Sequence, residues 1–477
     1  MVKFPHRSRR GVLLGLSAAQ LVTIAATGLL LLTVLLTTGV VGALQLLPLW
    51  AVVVLALFAR HQGRSLADWF PITLRYALRR ARGQLLWLAR PSTRPRREGL
   101  LHLPGTAASL LVVTAPDRCF GAVHDPHAQT LTAVAKISSR AFALLDPATQ
   151  NSNVAGWGRV LAALARTGHI ARIQVLERTV PDSGDALHRH WNEHGHPDAP
   201  LAGPVYADLL AAAGPAAAPH EAYVALALDL KAARRLINQA GGGLAGGFAV
   251  LAQLTATFDQ GARNAGLTPS GWLSGHEVAA VVRTAYDPQA SAALDRWSAS
   301  SRPQADPAAA GPVVLVENAD RIETDTAQHA TFWIENWPRI ETSPGFLHQL
   351  LFTSGVRRSL SLTYAPNNLD AALKDVQRKK ATVVADAAER QRKGQVDSEE
   401  DSIEYADIKA RERQLMAGHA DVAMTGLLTV SAETDEQLNA ACAAVETAAV
   451  AALVDLRRLT WQQAEAFTTA ALPLARP

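Results

Sequence analysis

The chain has 477 residues, long enough for more than one domain, and 49% of them are hydrophobic. The formal net charge is +4, and the arginines near the N-terminus exceed that by themselves, so the basic balance points to an anionic lipid surface and away from sequence-specific nucleic-acid binding. The two cysteines, Cys119 and Cys442, are far apart and form no CxxC, which excludes a disulfide framework and fits a reducing compartment.

From Gly11 to Ala59 there is no Asp, Glu, Lys, Arg or His. One membrane crossing needs about 20 mostly apolar residues, so the run is long enough for two. Small, polar and proline residues between Thr37 and Pro48 divide it. Helices are expected at 17–36 and 41–57, joined by a very short turn as a transmembrane hairpin within segment 1–60. A cleaved signal peptide would carry an apolar core of about 7–15 residues before a small-residue cleavage site; this run is far longer and ends in arginines. Lys3, Arg7, Arg9 and Arg10 precede it, and Arg60, Arg64, Arg75, Arg79, Arg80, Arg82, Arg90, Arg94, Arg96 and Arg97 follow, opposed by Asp68. Positive flanks stay on the cytoplasmic side. The expectation is an inner (plasma) membrane protein with two crossings and both termini cytoplasmic.

Segment 61–95 follows. Leu66, Phe70, Leu74, Ala77, Ala81, Leu85 and Leu88 recur every three or four residues, one face of a helix over 65–90. Arg75, Arg79, Arg80 and Arg82 accompany that face and Pro71 suits a first turn, so a basic amphipathic helix on the membrane surface is expected; the alternative is an ordinary helix packed on the soluble region. Pro91 to Pro95 reads as a linker.

A first cytoplasmic domain, 96–288, is expected to be mixed α/β. Val-, Leu- and Thr-rich runs at 107–114, 119–124 and 130–137 read as strands. A helix begins at Asp146-Pro147 and ends at Gly168, followed by a strand at 170–180. Residues 223–230, YVALALDL, read as a strand buried on both faces. A glycine-rich run, 241–247, adjoins a helix reaching about Ala265, then a short strand near Leu267 and a helix over 275–285. Residues 289–311 form a linker. The second domain, 312–477, has strands at 329–337 and 357–364, a charged helical hairpin over 369–417, a strand at 426–431, a helix over 435–449 and a strand at 455–460. That order is a ferredoxin-like sheet with an inserted helical hairpin. The fold class expected overall is α+β, preceded by the two-helix membrane segment. No internal repeat of 20–50 residues is visible.

Catalytic motifs are sparse. A phosphate-binding loop needs GxxxxGK[ST], and no Gly-Lys pair occurs; GGGLAGG at 241–247 suits close helix packing. Neither GxSxG nor SxxK is present. His190, Glu193 and His194 match HxxEH, which could hold zinc with Glu193 as base. The pattern falls in a His-rich stretch that includes His188 and His196, and the helix stops at Gly195-His196-Pro197, so solvated surface is the competing reading. No cofactor is expected. The hairpin over 369–417 has a basic arm (Lys374, Arg378, Lys379, Lys380) and an acidic tip (Glu399, Glu400, Asp401). It reads either as a solvated helical face or as a docking lever for a partner.

Two stretches resemble known families. FPHRSRRGVLLGLS, the apolar run and SLADWFPITLRYALRRARGQ resemble PrgI-like inner-membrane proteins of actinobacterial conjugation systems. Tyr286-Asp287-Pro288, the strand at 329–337, the helical hairpin, the strand at 426–431 with ETDEQL, Arg457-Arg458-Leu459 and Glu465-Ala-Phe467 to Leu472-Pro473-Leu474 resemble the non-catalytic N-terminal half of conjugation ATPases of type IV secretion. In that class such a segment lies just before the motor domain, so the resemblance implies an adaptor half with its motor on another chain. The middle is also similar to EccE, a membrane component of type VII secretion. These resemblances imply a non-enzymatic scaffold whose partners are the lipid bilayer, other membrane subunits in a homo- or hetero-oligomer, and a separate P-loop ATPase. The interaction residues expected are Arg75, Arg79, Arg80 and Arg82 at the lipid and Lys379, Lys380, Glu399 and Glu400 at the ATPase.

Overall fold

A computed structural model describes residues 18–61, 64–89, 98–115, 120–139, 142–180, 185–196, 199–213, 219–291, 293–294, 306–338, 340–367, 369–392, 399–417 and 420–476. Lys3, Arg7, Arg9 and Arg10, the linker at 91–95, most of 289–311, Cys119 and Asp397 lie outside the described residues. The chain divides into two units, Pro5–Leu85 and a body that begins at Leu86 and runs to Pro477.

In the first unit, α1 (Ala18–Phe58) contains non-helical dihedrals at Gly39, φ 75° and ψ −167°, and Pro48 within its length. Its stretch Gln20–Gly42 is long and apolar enough to cross a membrane. The hydroxyls of Thr27, Thr37 and Thr38 donate to the carbonyls of Thr23, Thr33 and Val34 at 2.7–2.9 Å, so they leave no unpaired donor in an apolar surround. Two short strands, β1 (Arg60–His61) and β2 (Arg64–Ser65), pair antiparallel, and α2 (Leu66–Ala81) follows. This helix corrects the expectation for 65–90. It stops at Ala81 because Gly83, φ 65°, turns the chain while its N–H and that of Gln84 return to the carbonyls of Arg80 and Arg79. Pro71 lies inside the helix and not in its first turn. Leu88 belongs to a strand.

The body holds one sheet of thirteen strands among the described residues, every neighbouring pair antiparallel. The mixed α/β class expected after residue 96 holds. The first half runs β4 (Leu111–Thr114), β5 (Gly121–Asp125), β6 (Thr130–Ser139), α3 (Pro147–Arg166), β7 (Ile170–Thr179), α4 (Asp185–His194), α5 (Ala202–Ala213), β8 (His220–Asp229), α6 (Arg234–Gln239), α7 (Gly243–Asn264), β9 (Leu267–Trp272) and α8 (Gly275–Tyr286). The second runs β10 (Val314–Glu317), β11 (Ile322–Glu323), β12 (Gln328–Asn336), α9 (His348–Leu351), β13 (Arg357–Pro366), α10 (Leu369–Arg392), α11 (Glu399–Met416), β14 (Val422–Ala432), α12 (Asp435–Ala451), β15 (Asp455–Arg458) and α13 (Gln463–Ala470). The strand β3 (Leu86–Leu88) adds to β10, with Trp87 opposite Leu315. The sequence reading omitted β3, β10, β11, α5 and α13, which are short or lack a clear period.

The two halves repeat one plan. Each opens with two strands feeding a third (β4–β5–β6; β10–β11–β12); a helix joins the third to a fourth, a helical hairpin leads to a fifth, one helix in the second half or two in the first (α6, α7) lead to a sixth, and a helix closes the half. Strand order is β9–β6–β8–β7 in the first and β15–β12–β14–β13 in the second. The halves join through equivalent strands: β7 pairs β13 from Ile173↔Tyr364 to Arg178↔Ser359, the antiparallel arrangement that a two-fold axis between them generates. A repeat this long is invisible at a 20–50-residue period. The boundary expected at 289–311 therefore separates two halves of one hydrogen-bonded sheet.

Burial follows strand alternation. On β8, Val224, Leu226 and Leu228 face α3 and α7, while Tyr223, Ala225 and Ala227 join a second core with α8, Phe467, Leu472 and Leu474. Two-faced burial explains the unbroken apolar run of YVALALDL. In the second half Ala330, Phe332 and Ile334 pack with Leu438, Val445 and Ala449 of α12. Helix starts carry their signals: Asp146 accepts from the Thr149 N–H at 3.0 Å, and Ser274 with Glu277 forms a capping box.

Gln174, in the middle of β7, is fully buried at the junction. Its amide donates to Ser361 Oγ of β13 at 2.9 Å and to the carbonyls of Thr469 and Leu472 at 3.1 and 3.0 Å, and it accepts from the Ala475 N–H at 2.7 Å. Replacing it with Ala removes these bonds from a buried junction, at about 1–3 kcal/mol for each group left unsatisfied. Gln174→Ala is expected to lower stability by about 3 kcal/mol or more in chemical denaturation, with both halves unfolding together.

His329 is likewise fully buried, its ring between Thr324 Oγ1 at 3.0 Å and Ser431 Oγ at 2.8 Å. Burial pushes its pKa down to about 4 from 6.5. The unfolded chain then binds a proton that the folded chain refuses, so this contribution is complete above pH 6.5 and is lost as pH falls toward 4. Denaturation midpoints of the wild type are expected to drop across that window, by up to about 3 kcal/mol, and His329→Gln is expected to flatten the drop.

Candidate functional site

The sequence-predicted residues fall in three places. The first is α2. Trp69 is buried, and Ile72, Thr73, Tyr76 and Arg79 are half-buried beside it, so this face points into the unit. Phe70, Leu74, Ala77 and Leu78 are exposed on the other side, and Arg75, Arg80 and Arg82 are exposed with them. Spacing at i, i+4 and i+8 makes Phe70, Leu74 and Leu78 one stripe. An exposed apolar stripe bordered by guanidinium groups can enter the headgroup layer of an anionic bilayer while the arginines hold phosphate.

The second place is the hairpin of α10 and α11, inserted between β13 and β14. The helices appear in sequence as two charged amphipathic segments, and their contact is made by Ala372, Val376 and Leu415 with Leu373 and Ile408 against them. Lys379 is exposed but pairs with Asp375 one turn back, 3.0 Å away. Lys380 crosses to Glu412 of α11 at 2.9 Å, and that carboxylate raises the ammonium pKa. Arg411 bridges Asp421 at 2.8 Å and Asp375 at 3.1 Å, and the hydrogen bonds it donates to Asp421 raise its pKa. Both expected docking lysines thus serve the hairpin itself. Lys374 and Arg378 are exposed and enter no ion pair among the described residues, and Val384 and Ile403 are exposed elsewhere on the hairpin. Glu399 and Glu400 form the first turn of α11, where acidic groups favour the helix dipole; Asp397 lies outside the described residues.

The third place is α4. It ends at His194, as the Gly195-His196 stop predicts. The rings of His190 and His194 stack with centroids 4.6 Å apart, and His194 Nδ1 lies 3.3 Å from the His190 carbonyl and 4.0 Å from the Glu193 carboxylate. All three residues are exposed. Among the described residues no three His, Cys, Asp or Glu side chains converge on a common metal position. The glycine run behaves as packing: α7 starts at Gly243, and a Cβ on Gly246 would stand 2.4 Å from the Ile237 carbonyl oxygen, so only glycine lets α6 and α7 approach this closely.

Polar residues that sequence reasoning missed sit at the junction of the halves. Arg178 of β7 is buried and donates to Glu221 Oε2 at 2.8 Å and to the Val281 carbonyl at 2.9 Å. Burial opposes ionisation of Glu221, yet Arg178 and Lys136 hold its pKa down at about 2. On the adjoining position Glu177 meets His220, and the buried Arg358 of β13 donates to the Thr353 carbonyl at 2.9 Å. The available signal was a polar residue breaking an apolar strand run, as Gln174 does in IARIQVLERT.

In comparisons with known proteins, no family model and no curated protein matches this chain.

The ion pairs of the hairpin predict its local stability. Arg411→Ala removes links to both Asp375 and Asp421, so amide hydrogen exchange in α10 and α11 is expected to speed up about tenfold, with β13 and β14 unchanged. Lys379→Ala, losing one exposed pair, is expected to leave exchange within about twofold of the wild type.

Proposed function

We propose that this chain is a non-catalytic, membrane-anchored scaffold or adaptor of a conjugative DNA-transfer or secretion apparatus, and that it docks a separate cytoplasmic ATPase. The observation that carries the reading is the order of parts: an apolar helix able to cross a membrane, then an arginine-rich helix with an outward apolar stripe, then a large body from which a charged helical hairpin projects. In this reading the apolar run crosses twice, bending at Gly39, where the helical dihedrals break. Both termini then lie in the cytoplasm, in keeping with the arginines on either flank. Arg75, Arg80 and Arg82 rest on anionic headgroups, whereas Arg79, expected among them, is half-buried on the inward face with Trp69. The strand order β15–β12–β14–β13 is the ferredoxin-like order, and α10–α11 is the lever inserted in it. Lys374 and Arg378 meet the ATPase, with Lys379 and Lys380 shaping the lever.

The test is affinity purification of the tagged full-length chain in detergent, with mass spectrometry of what accompanies it. A P-loop ATPase is expected to co-purify, and Lys374→Glu with Arg378→Glu is expected to reduce its recovery about tenfold without shifting the thermal midpoint. Deletion of 374–413 is expected to abolish it. The purified chain itself is expected to show no ATP hydrolysis; sustained turnover in motor-free preparations, or the absence of any ATPase partner, would overturn the reading.

A further inference from the structure

The first half carries its own helical hairpin, α4–α5, at the place in the fold that α10–α11 occupies in the second. The two hairpins differ in what they leave outside. In α10–α11 the helices meet along an apolar seam and are cross-linked by Lys380–Glu412 and Arg411–Asp375. In α5 the inward side is Gly203 and Leu210, both buried, and Tyr206 leans on Trp191 of α4 with ring centroids 4.6 Å apart. The outward side is Leu201, Val205 and Leu209, exposed at 85, 65 and 59%. Their i, i+4, i+8 spacing forms a ridge two turns long, suited to the groove of another helix.

The charge around this ridge selects its occupant. Asp208 is exposed on the adjoining position of α5, and Glu193 is exposed at the end of α4. By sequence, residues 185–213 carry Asp185, Glu193, Asp198 and Asp208 against Arg189 as the sole arginine or lysine. An acidic setting repels an anionic bilayer. It equally disfavours a second copy of the same acidic hairpin. An amphipathic helix with an apolar stripe and basic flanks satisfies both the ridge and the charge. We infer that the α4–α5 hairpin is a docking arm for a basic amphipathic helix of a partner protein, received along Leu201, Val205 and Leu209 and oriented by Asp208 and Glu193. It is a second contact surface, separate from the charged lever of the other half.

The arm can be tested on the full-length chain in a nonionic detergent. The probe is a fluorescein-labelled synthetic peptide of about 18 residues, long enough to be helical, made of Ala, Leu and Lys with leucines at i, i+4 and i+8. A matched peptide carries Glu for Lys. By fluorescence anisotropy at low salt the lysine peptide is expected to bind at least about tenfold more tightly than the glutamate peptide, with the preference shrinking as salt is added. Leu201→Ser, Val205→Ser and Leu209→Ser combined are expected to weaken binding at least about tenfold. These side chains are exposed, so the thermal midpoint is expected to hold. Glu193→Lys with Asp208→Lys is expected to invert the preference toward the glutamate peptide. Equal binding of the two peptides by the wild type, or undiminished binding by the triple serine variant, would overturn the assignment.

Discussion

The body depends on one antiparallel strand pair, β7 with β13, and on the buried amide at its centre. Gln174 donates to Ser361 of the opposite strand and to the carbonyls of Thr469 and Leu472 at and after the end of α13, and accepts from the Ala475 N–H beyond them. An apolar residue there would remove the hydrogen bonds that Gln174 makes to the Thr469 and Leu472 carbonyls and to the Ala475 N–H at a buried junction. The same segment sends Leu472 and Leu474 into the core of the first half, so the last part of the second half completes the first. This interlock makes two similar halves one folding unit.

The junction also fixes where the projections point. Because β7 and β13 are antiparallel, the hairpin leaving Thr179 and the hairpin leaving Pro366 depart from opposite ends of the pair. Their bases are held by different chemistry. Near the first, Glu177, His220 and Arg358 gather at the strand ends; at the second, Arg411 ties α11 to Asp421, and Asn367 bonds Asp421 at 2.8 Å. A rigid sheet with one arm at each end suits a scaffold that holds two partners apart. In the proposed reading the same fold plan with different surface charge gives each arm its own class of partner, since specificity rests on charge and exposed apolar area more than on backbone.

Sequence patterns were legible where one physical period dominates. The charged hairpin expected over 369–417 forms as Leu369–Arg392 and Glu399–Met416, the first of which keeps its apolar positions at helical spacing. Strands β6, β7, β8, β12, β13 and β14 were found within a few residues, since alternation or an unbroken apolar run marks them. Two-residue strands such as β11 (Ile322–Glu323) are too short to carry a period. The helix expected over 65–90 was overextended because leucines at 85 and 88 continued a spacing that Gly83 interrupts. Of the candidate site residues, Arg75 and Arg80 of α2 are exposed and Arg79 is half-buried, whereas Lys379 and Lys380, expected at the ATPase, are engaged in ion pairs within the hairpin. A charge's partner across a hairpin is a tertiary fact that linear spacing does not encode.

By itself the sequence determined the apolar N-terminal run, its arginine flanks, the alternation of strands and helices, and the inserted charged hairpin, because each rests on local periodicity or composition. The tertiary structure alone decided that the halves are repeats of one plan joined by β7 and β13, that the chain's last residues complete the first core, and which charges are spent internally. Those outcomes depend on strand order and on pairs more than a hundred residues apart, such as Gln174 with Ser361, and long-range pairing is set by the packing of whole layers, which no local window contains.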